Sequence, residues 1–224
     1  MGRKSLRIVW PIIVLSIFFS LSAYALTGNE LFWEMRERFK QINDYQCTYV
    51  SFVVKGNKSE EYTFRYFFKK PKKIRMEVIS QKDKGTILIY RGGQVRAKPG
   101  KGLFSHFTFT FHPRHKRVCD LRGYGIDQSD WGEFIDYHEP YLKGNSFRIV
   151  GKEMVGERET ILLEMRSKDP QETRGIAHEK IWVDKELKVP LKYEHYDVNN
   201  KLIRSSTYKD IKINVGLEEN LFKM

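Results

Sequence analysis

The sequence predicts a mainly β fold of the α+β type: an antiparallel sheet of about eleven strands that curls into a barrel or half-barrel, with two or three helices. Three observations carry this expectation. Aromatic residues make up 14% of the chain, with 15 Phe and 12 Tyr against 6 Met, and aromatic side chains favour strands. From residue 45 onward, short β-branched and aromatic runs follow one another between Gly, Asn and Pro turn signals. Consecutive strands joined by tight turns form antiparallel meanders, and a meander this long curls.

The chain opens with an address. Arg3, Lys4 and Arg7 precede an apolar run over residues 8–21, and Ala23-Tyr24-Ala25 supplies the small residues of a cleavage site. Residues 1–25 therefore read as a secretory signal peptide. The run is shorter than the roughly 20 residues that span a bilayer, and an uncleaved N-terminal anchor is the alternative. Residues 26–224 are expected to form one domain. Export implies a periplasmic location and makes Cys47 and Cys119 a candidate disulfide pair, with two free buried thiols as the alternative.

A helix opens the mature chain, with Thr27 or Asn29 as its cap and Phe32, Met35, Phe39 and Ile42 at helical spacing. Strands follow at residues 45–54, 62–68, 72–80, 86–90, 94–98 and 103–111, with Arg91-Gly92-Gly93 as a positive-φ hairpin turn. In the last of these, Phe107, Phe109 and Phe111 share a face. A second helix starts near Ser129 or Asp130, carries Trp131, Phe134 and Ile135, and ends before Pro140. Further strands occupy residues 147–155, 160–166, 179–183, 191–198 and 202–213. Several strands are apolar on both faces, as where Tyr45, Tyr49 and Val53 oppose Val50, Phe52 and Val54. A sheet with one wet face should alternate cleanly, so something must cover the second face: helices or a ligand.

Composition excludes several classes. Two cysteines exclude a disulfide scaffold and a multi-cysteine zinc domain. A mean hydropathy of −0.53 excludes a polytopic membrane protein. The net charge of +12 invites an anionic partner, and export makes nucleic acid a poor candidate.

Four stretches carry a family resemblance. They are Tyr66-Phe67-Phe68-Lys69-Lys70-Pro71-Lys72-Lys73-Ile74-Arg75-Met76-Glu77, then Ile87-Leu88-Ile89-Tyr90-Arg91-Gly92-Gly93-Gln94, then residues 180–194 with their Asp184 turn and Pro190, and the closing strand at residues 208–214 with Leu221-Phe222. In this order they resemble the LolA-like superfamily of periplasmic lipoprotein carriers and outer-membrane lipoprotein-sorting proteins, in particular its members without assigned function. The resemblance implies a LolA/LolB-like half-barrel with helices on its concave side, an apolar cavity and acyl chains as ligand, with no catalytic residue, metal or cofactor. It also implies a lid-holding arginine, for which Arg65 and Arg75 are candidates. Two departures stand out: residues 81–85 are polar where a LolB-type apolar loop would lie, and residues 99–140 follow no pattern of the carrier.

On this reading the wall candidates are Phe64, Tyr66, Met76, Val78, Leu88, Phe107, Phe109, Trp182 and Tyr193, and the lid candidates are Trp131 and Phe134 on a helix with few caps. Lys69, Lys70, Lys72 and Lys73 around Pro71 form a candidate patch for anionic head groups or a membrane surface. The plain alternatives are core packing for the apolar residues and a solvated turn for the lysines. Two other functions compete: an envelope sensor or interaction module with a protein partner, and a zinc enzyme built on His106, His112, His115, Cys119 and Asp120.

Overall fold

The structure, a computed structural model, describes residues 26–144, 147–167 and 169–224. The expected signal peptide lies outside the described residues. Helix α1 (Gly28–Lys40) starts at Thr27, whose hydroxyl accepts from Glu30 N while the Glu30 carboxylate accepts from Thr27 N. This reciprocal capping box explains why the helix begins there rather than at Asn29. Its buried side chains are Leu31, Phe32 and Met35. Gly28 is obligatory for a steric reason: a Cβ there would lie 2.3 Å from the carbonyl oxygen of Phe147.

Eleven antiparallel strands follow: β1 (Asp44–Lys55), β2 (Lys58–Lys69), β3 (Lys73–Val78), β4 (Ile87–Arg91), β5 (Gln94–Lys98), β6 (Phe109–Phe111), β7 (Phe147–Val155), β8 (Arg158–Arg166), β9 (His178–Asp184), β10 (Pro190–Tyr196) and β11 (Leu202–Ile213). They form one sheet in the order β6-β5-β4-β3-β2-β1-β11-β10-β9-β8-β7. The two meanders are joined at their long central strands, where Tyr49 of β1 pairs with Phe64 of β2 and with Tyr208 of β11. The sheet is not closed: β6 and β7 remain its edges. The strand expected at residues 103–111 is shorter than its pattern suggests, since only Phe109–Phe111 pair and the residues before them form turns. Phe107 therefore does not belong to the sheet face on which the alternation placed it.

Helix α2 (Trp131–His138) is capped by Asp130, whose carboxylate accepts from Gly132 N and Glu133 N. The start expected near Ser129 or Asp130 is thus borne out at Asp130, while the few caps supposed for a lid helix are not. Short 3-10 turns lie at Ile126–Gln128, Glu139–Gly144 and Glu219–Phe222. Both helices sit on the concave face with Tyr45, Cys47, Tyr49, Phe64, Tyr66, Phe68, Ile181, Tyr193 and Tyr208 in one core. Among the described residues no helix is long and apolar enough to cross a membrane.

The second apolar face is covered by the chain itself only over β3 and β4; Val50, Phe52 and Val54 on the outer side of β1 stay partly exposed. Ile89 is buried on the outer side of β4, where the Glu219–Phe222 turn packs and Phe222 is 1% exposed. Arg75 Nη1 donates to Leu221 O there. The tail is held by Asp44, whose buried carboxylate accepts from Val215 N, Gly216 N and Leu217 N. Leaving buried backbone donors unpaired costs about 1–3 kcal/mol. Asp44→Ala is thus expected to lower stability by about that amount, seen as a lower urea midpoint, and to speed proteolysis after residue 214.

Candidate functional site

Inward-facing positions of β1 to β6 alternate with outward ones, so Tyr49, Phe64, Met76, Leu88, Ala97 and Phe109 converge on one side of the sheet. Opposite them runs the segment from Arg117 to Ser129, held by its own turns. Between the two lies a cavity of about 700 Å³. That is within the roughly 300–1,000 Å³ of small-molecule sites. Its apolar wall comes from Phe64, Met76, Val78, Leu88, Phe109 and Phe111, with Val118 and Ile126 from the opposing segment. A smaller hollow of about 540 Å³ lies among the loops near Gly56, Gln171 and Val198, away from the inner face of the sheet.

The cavity has one polar end. Arg204 of β11, 5% exposed, reaches Asp120 Oδ2 at 2.7 Å and stacks its guanidinium 4.3 Å from the Tyr124 ring centre. Asp120 Oδ1 accepts from Arg122 N and Tyr124 N, which fixes the carboxylate on its turn. A buried charge persists only when paired and hydrogen-bonded, and both conditions hold here.

Five of the nine wall candidates, Phe64, Met76, Val78, Leu88 and Phe109, line this cavity. Four do not. Tyr66 is fully buried beneath the α2 turn, with its hydroxyl 3.2 Å from Ser129 Oγ. Tyr193 packs against Phe134 and Tyr208. Trp182 has the opposite parity to Ile181 and Val183 of the core: its Nε1 donates to Glu153 and Lys192 lies over its ring. Phe107 is 59% exposed on the turn before β6.

The lid candidates are packed hard. Trp131 stacks on Tyr45 with ring centres 3.9 Å apart, and its backbone N–H donates to the Tyr45 hydroxyl. Tyr208 donates to Ser129 O. Phe134 lies between His138 and Tyr193. Burial pushes the Asp130 carboxyl up to about 6, opposed by Lys72 and by the helix N–H groups it caps.

The end of α2 is tied to β9. Both ring nitrogens of His138 face acceptors: Nδ1 is 2.6 Å from Phe134 O and Nε2 is 2.7 Å from Glu179. His195 Nε2 approaches the other Glu179 oxygen at 3.1 Å. Burial alone would raise the Glu179 carboxyl, but the two imidazoles outweigh it and hold the group at about 2.

The lysine turn proves to be internally committed. Lys69 donates to Leu217 O, Lys70 to Phe39 O and Lys40 O, Lys72 to Glu133, and Lys73 to Glu219. These contacts pin α1, α2 and the tail to the β2–β3 turn. Cys47 and Cys119 are free thiols, the first in the core and the second donating to Pro113 O, which corrects the disulfide candidate. His112 and His115 accept from Arg114 N and Arg117 N, so their ring nitrogens serve local turns. Among the described residues no three His, Cys, Asp or Glu side chains gather as metal ligands. Arg65 and Arg75 both meet Glu77 on the outer face. Sequence reasoning missed Arg204, and it weighed Asp120 only for a zinc site rather than as the partner of that arginine. The signal for Arg204 was its parity with Ser206 and Tyr208, which marks it as inward-facing.

A family model described as "Uncharacterized protein" matches residues 111–219, just under half of the chain. No curated protein matches the sequence. Among solved structures, an uncharacterized conserved protein from Thermus thermophilus is similar with a TM-score of 0.53 at 14% identity, over 86% of this chain and 92% of that one. The MucA/MucB complex of Pseudomonas aeruginosa gives a TM-score of 0.50 at 13% identity, over 88% of this chain but only 60% of that one. A LolA superfamily protein from Nitrosomonas europaea gives 0.40 at 12% identity, over 89% and 99%. At these identities the likeness is one of fold.

Glu179 yields a pH test. Its folded value lies below the ordinary carboxylate range, so its contribution is complete above about 4.5 and is lost as pH falls towards about 2. Glu179→Gln is expected to lower the unfolding free energy at neutral pH by on the order of 3 kcal/mol, read as a lower urea midpoint. The gap between native and variant curves should close as the pH falls through that window.

Proposed function

We propose that this chain, LolA-like in its fold, is an exported, non-enzymatic binding protein that holds acyl chains of a lipid or lipoprotein in the half-barrel cavity for transport through the periplasm. The observation that carries this reading is the cavity itself: about 700 Å³ against the inner face of β1 to β6, walled by Phe, Met, Val and Leu. Each CH₂ moved from water to such a wall gains about 0.8 kcal/mol. Binding of this kind needs shape and apolarity rather than a reacting group. The Arg204–Asp120 pair offers a polar end, where an acyl carboxylate or ester would meet hydrogen-bond donors while the chain lies along Met76, Val78 and Leu88.

A second reading, an envelope module that binds a protein partner, is favoured by one observation. A structure of this fold is a MucA/MucB complex. Native mass spectrometry of protein purified from its own envelope separates the two: an acylated molecule at one copy per chain supports the carrier, and a bound protein without acyl chains supports the module.

Phe109 allows a sharp test because it lines the cavity yet is 36% exposed, so a charge there is tolerated by the fold. Phe109→Glu is expected to reduce uptake of a fluorescent fatty acid by roughly tenfold or more, since a carboxylate would be desolvated by the bound chain. The far-UV circular dichroism should be unchanged. Native-like uptake would remove Phe109 from the binding wall.

A further inference from the structure

Residues 98–118 carry five cations, Lys98, Lys101, Arg114, Lys116 and Arg117, together with three histidines and no acid. Within this segment the turn before β6 exposes large apolar side chains: Leu103 is 85% exposed, and Phe104 and Phe107 are each 59% exposed. They are gathered rather than scattered. The Phe104 ring centre lies 6.5 Å from Phe107 and 6.2 Å from Phe109. A contiguous apolar group on a protrusion marks an interaction site, whereas single exposed residues do not.

The protrusion is built. Its base is fixed by Gly100, where a Cβ would lie 2.2 Å from Lys84 O, so only glycine lets the two loops approach. Its tip closes by Ser105 N donating to Gly102 O and Phe107 N to Phe104 O, with Gly102 at φ +84°. Arg114 is committed to Asp127, but Lys98, Lys101, Lys116 and Arg117 have no acidic partner among the described residues. Phe104 and Phe109 also belong to the cavity wall, so the exposed patch continues into the cavity.

We propose that this protrusion is a bilayer-docking surface, with Leu103, Phe104 and Phe107 entering the interfacial layer of an anionic membrane and the flanking cations facing its head groups. Charge complementarity selects this occupant. An apolar tip ringed by Lys and Arg, with no acid for 21 residues, matches a surface that is apolar below and negatively charged above. The docking stands without any assumption about cargo. Its consequence, a cavity mouth held at head-group depth, rests on the carrier reading.

The test labels the tip itself. In the full chain, His106→Cys in a Cys119→Ser background takes an environment-sensitive NBD dye, the buried Cys47 being inaccessible. On vesicles of phosphatidylethanolamine with phosphatidylglycerol the dye should brighten and shift to the blue. It should respond far less on pure phosphatidylcholine or in high salt. Leu103→Ser/Phe107→Ser, neither residue being in the cavity wall, should weaken vesicle co-sedimentation by roughly tenfold. Lys98→Gln/Lys101→Gln/Lys116→Gln should remove its salt dependence. An unchanged dye spectrum, or variants that sediment like the native chain, would overturn the proposal. So would a concentration-dependent dimer abolished by the apolar pair with no dye response to vesicles, which would assign the patch to a second copy. Fatty-acid uptake in vesicle-free solution should survive in the loop variants. Its failure in the native chain would touch the cargo reading and leave the docking result standing.

Discussion

The arrangement depends on one constraint: the turn at Ser129–Trp131 is bound to the floor of the trough through buried tyrosine hydroxyls. Tyr45 accepts from Trp131 N, Tyr66 meets Ser129 Oγ and Tyr208 donates to Ser129 O. Buried hydroxyls must be paired, and these three are paired to one short stretch of chain. The stacking of Trp131 on Tyr45 adds apolar contact to the same joint. Helix α2 therefore enters the concave side at a fixed place. Its far end is fixed again where His138 meets Glu179.

A curved sheet of eleven strands offers more apolar inner surface than two short helices can cover. The helices fill the part over the central strands and β7 to β10, where Phe32 stacks on Phe147 and Phe134 packs at a tilt against Tyr193. Over β3 to β6 the roof is only the chain from Arg117 to Ser129, and the cavity remains between them. A hydrophobic layer must bury its face against another element, and here the covering element spans the gap without filling it. The residue type that makes a good wall is the same that makes a good core, so the hollow is a property of coverage, not of composition.

Packing of the helices also bears on how the cavity opens. A lid made of α2 would have to break the tyrosine ties and the His138–Glu179 contact together. The turns at residues 99–108 have few such ties and line the mouth through Phe104. Local opening is cheapest where buried contacts are fewest, and the helix is the part of the roof with most of them.

Strand number, the two helices and the capping residues were legible in the sequence because they depend on local patterns. Alternation gives parity along a strand, and Thr27, Asp130 and the Gly92-Gly93 turn give boundaries. Parity also sufficed for Phe64, Met76, Val78 and Leu88. It could not tell a wall residue from a packed one, since Tyr66 shares the inward face with Phe64 and differs only in lying under Ser129. Nor could it say which face of β9 points inward, so Trp182 was placed with the cavity although Ile181 and Val183 take that side. The lysines around Pro71 looked free because their partners, Glu133, Leu217 and Glu219, are distant in sequence. Local periodicity is written in neighbouring residues and determined the elements. Coverage of one element by another is a long-range property, and only the tertiary structure decided where the trough is filled and where it stays hollow.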